Sequence, residues 1–448
     1  MNHTRTAAAA GEASDQEPGR VSDQPSCQAP CQHAGQPARK DNVAALVACF
    51  ESGITAHPEK LGIELEHIIV RDPGLAPVGY TDEQGVRWLL EQLRGDYPQA
   101  IRDADGDILG LTRPGEAVTL EPAGQLELSA GPFTDLAEAS ACFDAFSKKL
   151  ARLLAPVGQR ALLVGYHPTA VASELELIPK RRYKFMNYYL GDIGAFGPRM
   201  MRGSASTQVS IDYSSVEDCL RKLRLAFACV PVFSLITDNA PVFEGKARPH
   251  KAVRTKIWLE CDPDRCGLVP GVMDRDFTLE RYAEYVLDTP AILVPCSSQE
   301  WCYSDKAFGD IYADTAMERA DVEHALSMFF NDVRLKTYIE IRPADAMPIP
   351  FVIAYAALIR GLFYSEASLD ALDELFADVD AGAVGEAKER IMAAGYEAEV
   401  YGQPVAEVAD RLMTVAKEAL DDRDRRCLAP LDDLVSRRRT LADEAEKI

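Results

Sequence analysis

The segment Leu61-Gly-Ile-Glu-Leu-Glu-His-Ile-Ile-Val70 alternates apolar and acidic residues. As an extended strand it projects Glu64 and Glu66 from one face and Ile63 and Leu65 from the other. Two residues' rise separates the carboxylates by roughly 6.6 Å, and an effective dielectric of about 20 then gives roughly 2.5 kcal/mol of repulsion. A divalent cation between them reverses that sign. Taken alone, such a segment is more simply a half-solvated antiparallel strand with its glutamates in water. The pattern recurs, however. Residues 119–129 read as two short extended pieces around Pro122-Ala-Gly124, with Glu121 before the break and Gln125, Glu127 and Ser129 on one face after it. Residues 334–342 place Arg334, Lys336, Tyr338, Glu340 and Arg342 on one face and Leu335, Ile339 and Ile341 on the other. Residues 206–213 align Ser206, Gln208, Ser210 and Asp212, and residues 253–258 align Arg254, Lys256 and Trp258.

Five strands with one polar face each predict an α+β fold, mainly an antiparallel curved β-sheet forming the floor of a cleft, with helices packed behind. The floor would carry Glu64, Glu66, Glu121, Glu127 and Glu340 beside Arg254 and Arg342. Apolar spacing predicts helices from about 41 to 53, and at 134–155, 214–230, 320–331 and 350–366, with Ser214 and Glu217 forming a capping box. From about 367 the chain is amphipathic and densely charged, which predicts a helical C-terminal region, 367–448, packed on a catalytic domain spanning 41–366. Residues 1–40 are rich in Ala, Gln, Pro, Ser and Gly without apolar periodicity and read as a disordered tail.

Magnesium takes oxygen ligands and keeps part of its shell for phosphates, so carboxylates beside guanidinium forks suit ATP held through Mg2+. Neither GxxxxGK[ST] nor GxGxxG occurs, which removes P-loop and Rossmann readings. A formal net charge of -22 over 448 residues argues against a nucleic-acid partner. No apolar run approaches the roughly 20 residues that span a bilayer, so no membrane partner is expected. The acidic Glu12, Asp15, Glu17 and Asp23 are unlike a transit peptide, and the chain reads as cytoplasmic. Its eleven cysteines are dispersed and read as mostly reduced; Cys27, Cys31 and His33, or Cys261 and Cys266, have spacings zinc could use but lack the paired CxxC pattern. His67 falls on the core side. The run Lys180-Arg-Arg-Tyr-Lys184 reads equally as a solvated turn or a substrate clamp.

In order along the chain, GIELEH, LEPAGQLELS, VGYHP, PKRRYKFM, MMRGSASTQVSIDYSS, RTKIW followed by DPDRCGLVP, and VRLKTYIEIRPAD resemble the plant and alphaproteobacterial glutamate-cysteine ligases. That family belongs to the carboxylate-amine ligases with a glutamine-synthetase-like sheet, and the resemblance covers about residues 45–425. It implies Mg2+ ligation by Glu64, Glu66, Glu121, Glu127 and Glu340, with Gln208 facing the metals. It places Arg342 at the transferred phosphate, Arg182 and Arg254 at glutamate and phosphate groups, and Thr207, Met201 and Trp258 in the substrate pocket. Lys336 would contact the nucleotide. The implied reaction is ATP-dependent ligation of the glutamate γ-carboxylate to the cysteine amine through γ-glutamyl phosphate; independently of the resemblance, the chain is expected to act as a monomer, with a homodimer as the alternative. Two departures stand out: Arg202-Gly-Ser-Ala-Ser-Thr207 replaces a customary Arg-Thr-Cys-Thr run, and Arg181 replaces a glycine. A related ligase with another amine acceptor, a non-catalytic nucleotide or amino-acid binder, and a guanidino kinase are the competing readings.

Overall fold

The computed structural model describes residues 36–194, 196–295 and 301–445. Nine strands form its main sheet: β1 Leu61–Arg71, β2 Gln99–Arg102, β3 Ile108–Arg113, β4 Glu116–Leu120, β5 Leu126–Phe133, β6 Gln159–Leu162, β7 Thr207–Ile211, β8 Val333–Leu335 and β9 Ile339–Ile341. The order is β8-β9-β7-β1-β5-β4-β3-β2, with β6 pairing with the far end of β1, and every pairing is antiparallel. Strand alternation decides the two faces. Ile63, Leu65, Leu126, Leu128, Val209, Ile211, Ile339 and Ile341 are fully buried on one of them, each contributing about 1.5–3 kcal/mol of burial. The helices Leu136–Leu154, Val216–Ile236 and Ile349–Phe363 cover that face.

Register then dictates what meets on the other face. Glu66 stands directly across from Glu127, Glu64 from Ser129 on one side and Gln208 on the other, and Glu340 from Ser210. Like charges directly opposite one another destabilise a sheet. The polar face is therefore not an incidental solvated surface.

Several expected elements take other forms. Residues 253–258 are not a fifth strand but the start of the helix Val253–Leu259. Arg254 and Trp258 lie four residues apart and so share a face in either form, whereas Lys256 turns outward to Glu260 (2.6 Å). Residues 334–342 are not one strand but a hairpin, in which Lys336–Tyr338 make the turn and Arg334 pairs with Glu340 across the ladder. The helix expected at 320–331 stops at Leu326, because residues 330–331 pair with Cys266–Gly267. The helix expected at 214–230 runs to Ile236 through Pro231, and its N-cap is Ser215, bonded to the Asp218 amide (3.1 Å). Ser214 instead donates to the Asp218 carboxylate (3.0 Å). The 350–366 helix ends at Phe363, and Ser365 caps a new one, Glu366–Leu375. The first helix begins at Gln36, inside the stretch read as tail.

Beyond residue 366 the chain is helical apart from the two-residue pair Glu399–Val400 with Gln403–Pro404. Its helices Val405–Ala419 and Asp422–Ser436 pack on Ile349–Phe363 and continue the core behind the sheet. Seven cysteines among the described residues are free, and Cys302 is disulfide-bonded. Cys27, Cys31 and His33 lie outside the described residues.

His67 lies in the core, bonded through Nδ1 to the Leu126 carbonyl and edge-on to Phe146. His167 is also buried; its Nδ1 accepts from the amides of Thr169 (3.3 Å) and Ala170 (3.1 Å). Burial pulls its pKa down to about 4. Because that lies below the unfolded value of about 6.5, neutral His167 adds stability above pH ~6.5 that is lost as the pH falls towards 4, by at most about 3 kcal/mol. Urea midpoints between pH 7.5 and 4.5 should therefore fall less steeply for His167→Asn, which keeps an acceptor for the two amides. Equal slopes would remove His167 from the acid response.

Candidate active site

Over the polar face lies a cavity of about 290 Å³, lined among others by Glu64, Glu66, Glu121, Glu127, Lys180, Arg182, Met201, Gln208, Arg254, Trp258, Arg334, Lys336 and Arg342. Strands β1 and β5 supply the acidic wall, with Glu121 added by the turn that closes on the Gln125 carbonyl. The β8–β9 hairpin and the residue after it supply a basic wall. The helices Arg181–Ile193, Gly197–Gly203 and Val253–Leu259 close the remaining sides.

The acidic wall is electrostatically strained. Withdrawal from bulk water and then the charges of Glu127 and Glu340 raise Glu64 to about 8. Burial followed by Glu121 raises Glu66 to about 7, and burial with Glu121 and Glu66 raises Glu127 to about 8. Glu66 is steadied by Ser206, whose amide and hydroxyl donate to its two oxygens (2.9 and 2.7 Å), and by Gln208 Nε2 (3.4 Å). Glu127 accepts from Thr119 (2.8 Å) and Ser129 (3.1 Å).

Glu340 behaves in the opposite way. Fully buried, it accepts from Arg334 (2.6 Å), Lys336 (3.1 Å) and Arg342 (2.8 Å). Those three cations overcome its desolvation and hold its carboxyl far below the ordinary range. Arg342 also donates to Gln208 Oε1 and lies over the Trp258 ring, 5.9 Å from its centre. An unbroken chain of contacts thus runs Arg342–Gln208–Glu66–Ser206.

The basic run at 180–184 splits between its two readings. Arg181 and Lys184 face solvent, while Lys180 and Arg182 line the cavity. Arg182 touches Ser327 Oγ (3.4 Å) and Met328 Sδ (3.2 Å), and its buried Nε lacks a partner. Lys180 contacts the Tyr183 hydroxyl (3.4 Å). Neither cation has an ion pair among the described residues, unlike the trio on Glu340. Arg254 is almost fully buried; its Nη1 donates to the carbonyls of Pro343 (3.2 Å) and Ala344 (2.9 Å) and to Asp345 (3.4 Å), which leaves a buried Nε without a partner.

Of the residues singled out in the sequence, Thr207 is not at the cavity. On β7 the side chain of Gln208 lines it, so period-two alternation turns Thr207 into the core, fully buried with its hydroxyl unpartnered. Glu340 lies beneath the cavity wall and acts on it through its three cations. Lys180, Tyr183, Ser206 and Arg334 line the cavity and were not among the assigned site residues. Arg334 could have been found from the hairpin: a turn centred on Thr337 sets it opposite Glu340.

The residues present fit Mg2+ through the chemistry of their donors: three acids of one sign, raised by burial and then by neighbouring carboxylates, in an oxygen-rich wall. No three His, Cys, Asp or Glu side chains among the described residues close into a ready-made metal cluster. That suits a cation shared with substrate oxygens, since magnesium commonly takes only one or two carboxylates beside phosphates.

The fold is thus a mixed one of helix and sheet whose antiparallel sheet bears acids against guanidinium groups, and the family it belongs to is one of ligases. The chain belongs to glutamate-cysteine ligase family 2, whose profile matches residues 60–443. It is 29% identical over 389 residues to a chloroplastic glutamate-cysteine ligase of Arabidopsis thaliana, covering 84% of this chain and 73% of that one. The chloroplastic tobacco (Nicotiana tabacum) enzyme is 28% identical over 426 residues, covering 93% and 80%. Among solved structures, the Francisella tularensis glutamate-cysteine ligase in complex with AMP superposes with a TM-score of 0.51 at 11% identity, covering 87% of this chain and 84% of that one. That last likeness is one of fold.

The expectation of a cytoplasmic protein is corrected by these relatives. The plant enzymes named here are chloroplastic, so the acidic composition of residues 1–40 does not fix a compartment for a chain of this family.

Proposed function

We propose that this chain joins the γ-carboxylate of glutamate to the amine of cysteine at the expense of ATP, giving γ-glutamylcysteine. The observation that carries the reading is one cavity in which an acidic wall faces six guanidinium and ammonium groups, in a chain of glutamate-cysteine ligase family 2. A second cavity of about 500 Å³ shares Glu64 with it and is lined by Gly62, Ala117, Ala130, Gly131 and Tyr338. Small residues and backbone beside one tyrosine suit a flat purine, and the shared Glu64 opens the way for the phosphates towards the basic wall.

Glu64, Glu66, Glu121 and Glu127 would hold Mg2+, with Glu340 joining them when its cations turn to phosphate. Bound there, the ion neutralises phosphoryl oxygens. Lys336 and Gln208 meet the nucleotide, and Arg342 meets the transferred phosphoryl group. Arg182, Arg254, Met201 and Trp258 hold the amino acid. A γ-carboxylate oxygen attacks the γ-phosphorus and ADP departs, leaving γ-glutamyl phosphate. The cysteine nitrogen then attacks the acyl carbon, the C–O bond to phosphate breaks, and the amine proton is released. The arginines make their strongest hydrogen bonds as charge gathers on the phosphoryl oxygens, which is where such groups accelerate a reaction.

Purified protein supplied with ATP, glutamate and a panel of amines should yield γ-glutamylcysteine by mass only when cysteine is present. Chelation of magnesium should lower turnover at least about 100-fold. A product with another amine would instead assign a sister ligase, and phosphorylated product without any amine a kinase.

A further inference from the structure

The helix that carries Arg254 and Trp258 begins in an unusual way. Ala252, its N-cap, has left-handed backbone (φ 46°, ψ 57°) and no side chain with which to cap. A non-glycine residue stays in that region only when its surroundings hold it there. Three contacts do so, and two come from the far end of the fold. The Lys251 amide donates to the Met392 carbonyl (3.0 Å). The Lys251 ammonium and Arg248 Nη2 both donate to one oxygen of Asp443 (2.6 and 3.0 Å). Asp443 is itself fixed by Thr440, with which it forms a reciprocal capping box in the short helix Leu441–Glu444.

The same loop reaches Arg254 from its other side. Arg248 also pairs with the buried Asp238, whose backbone carbonyl accepts from the Ala442 amide (3.0 Å). The neighbouring Asn239 amide donates to Asp345 (2.7 Å), the carboxylate that Arg254 touches. Space around this relay is fixed: a Cβ on Gly165 would lie 2.1 Å from Asp345 Oδ2. Residues 440–444 therefore grip both the strained entry to the Arg254 helix and the loop that holds its counter-ion.

We propose that Asp443 is a positioning residue for the reaction, acting through Arg248 and Lys251 to fix the helix that presents Arg254 and Trp258 to the amino-acid substrate. The inference rests on the reading of Arg254 as a glutamate-binding group. Asp443 touches nothing in the cavity. Its effect falls on the amino-acid side of the site, because the acidic wall and the β8–β9 hairpin are built without it.

The test compares full-length wild-type protein with Asp443→Asn and Asp443→Glu. Asp443→Asn should raise the glutamate KM about tenfold while the ATP KM stays within about twofold, and Asp443→Glu should recover most of that loss, since a carboxylate can still bridge the two cations. A second readout is independent of activity. With Trp88 and Trp301 replaced by phenylalanine, acrylamide quenching of Trp258 should increase in Asp443→Asn and return towards wild type in Asp443→Glu. Unchanged quenching overturns the proposal, as does an equal rise of both KM values with no recovery by glutamate at 443. If wild-type protein does not use glutamate, the functional reading fails, and the Trp258 quenching alone decides the positioning role.

Discussion

Glu340→Gln is expected to lower folding stability by about 3–5 kcal/mol, the range for breaking a buried ion pair by removing one partner, and turnover by at least about a thousandfold. The substitution is nearly isosteric, so the loss is electrostatic. It leaves Arg334, Lys336 and Arg342 facing one another around a neutral amide at a fully buried position. The three cations border a cavity that can admit anions, so millimolar phosphate or ATP should recover part of the lost denaturant midpoint in the variant and much less in wild type. Glu66→Gln should show the reverse balance. Glu66 faces Glu127 across the ladder, and its neutralisation relieves repulsion while costing one of the two acceptors that Ser206 and Gln208 use, so stability changes by no more than about 1 kcal/mol while turnover collapses. Wild-type stability in Glu340→Gln would show that the basic wall does not depend on this carboxylate.

The contrast between these two acids was not visible in the sequence, where Glu64, Glu66 and Glu340 looked alike as polar members of alternating strands. Period-two alternation gave the correct face for each because a one-residue slip would have buried every glutamate and exposed every isoleucine. It could not give pairing partners. Glu340 is neutralised because the segment 334–342 folds back on itself at Lys336–Tyr338 and brings Arg334 alongside; Glu66 is not, because its neighbour across the ladder is another glutamate. Which of two equal patterns turns is decided by tertiary packing.

Residues 253–258 show a different limit. Six residues with apolar positions at 253 and 257 satisfy a helix as well as a strand, and periodicity over so short a run does not choose. Arg254 and Trp258 survived the wrong assignment because a separation of four is even for a strand and about one turn for a helix. Thr207 shows the converse. It was placed in the substrate pocket by the resemblance, yet alternation on its own strand, with Gln208 facing the cavity, already assigns it to the core. The ties from Asp443 to Arg248 and Lys251 span nearly two hundred residues, and no local pattern announces them.

Arg254→Lys is expected to raise the glutamate KM about a hundredfold with little change in that for ATP, because a single ammonium cannot replace a guanidinium that serves two sides at once. One edge of Arg254 is committed to the framework, through the carbonyls of Pro343 and Ala344 and through Asp345. The buried Nε is still unsatisfied, and an orphaned donor at a site of this kind leaves it ready to engage a carboxylate or phosphate. Lysine must choose. If its nitrogen stays with Asp345, substrate loses its fork; if it reaches for substrate, Asp345 is left buried with only the Asn239 amide, and stability falls by about 1–3 kcal/mol. Initial rates with glutamate and ATP varied in turn, together with a urea midpoint, separate the two cases. Retained glutamate affinity at wild-type stability would mean that Arg254 is a framework arginine, and the amino-acid carboxylate would then have to be met by Arg182 and Lys180, the two cavity cations that have no ion-pair partner among the described residues.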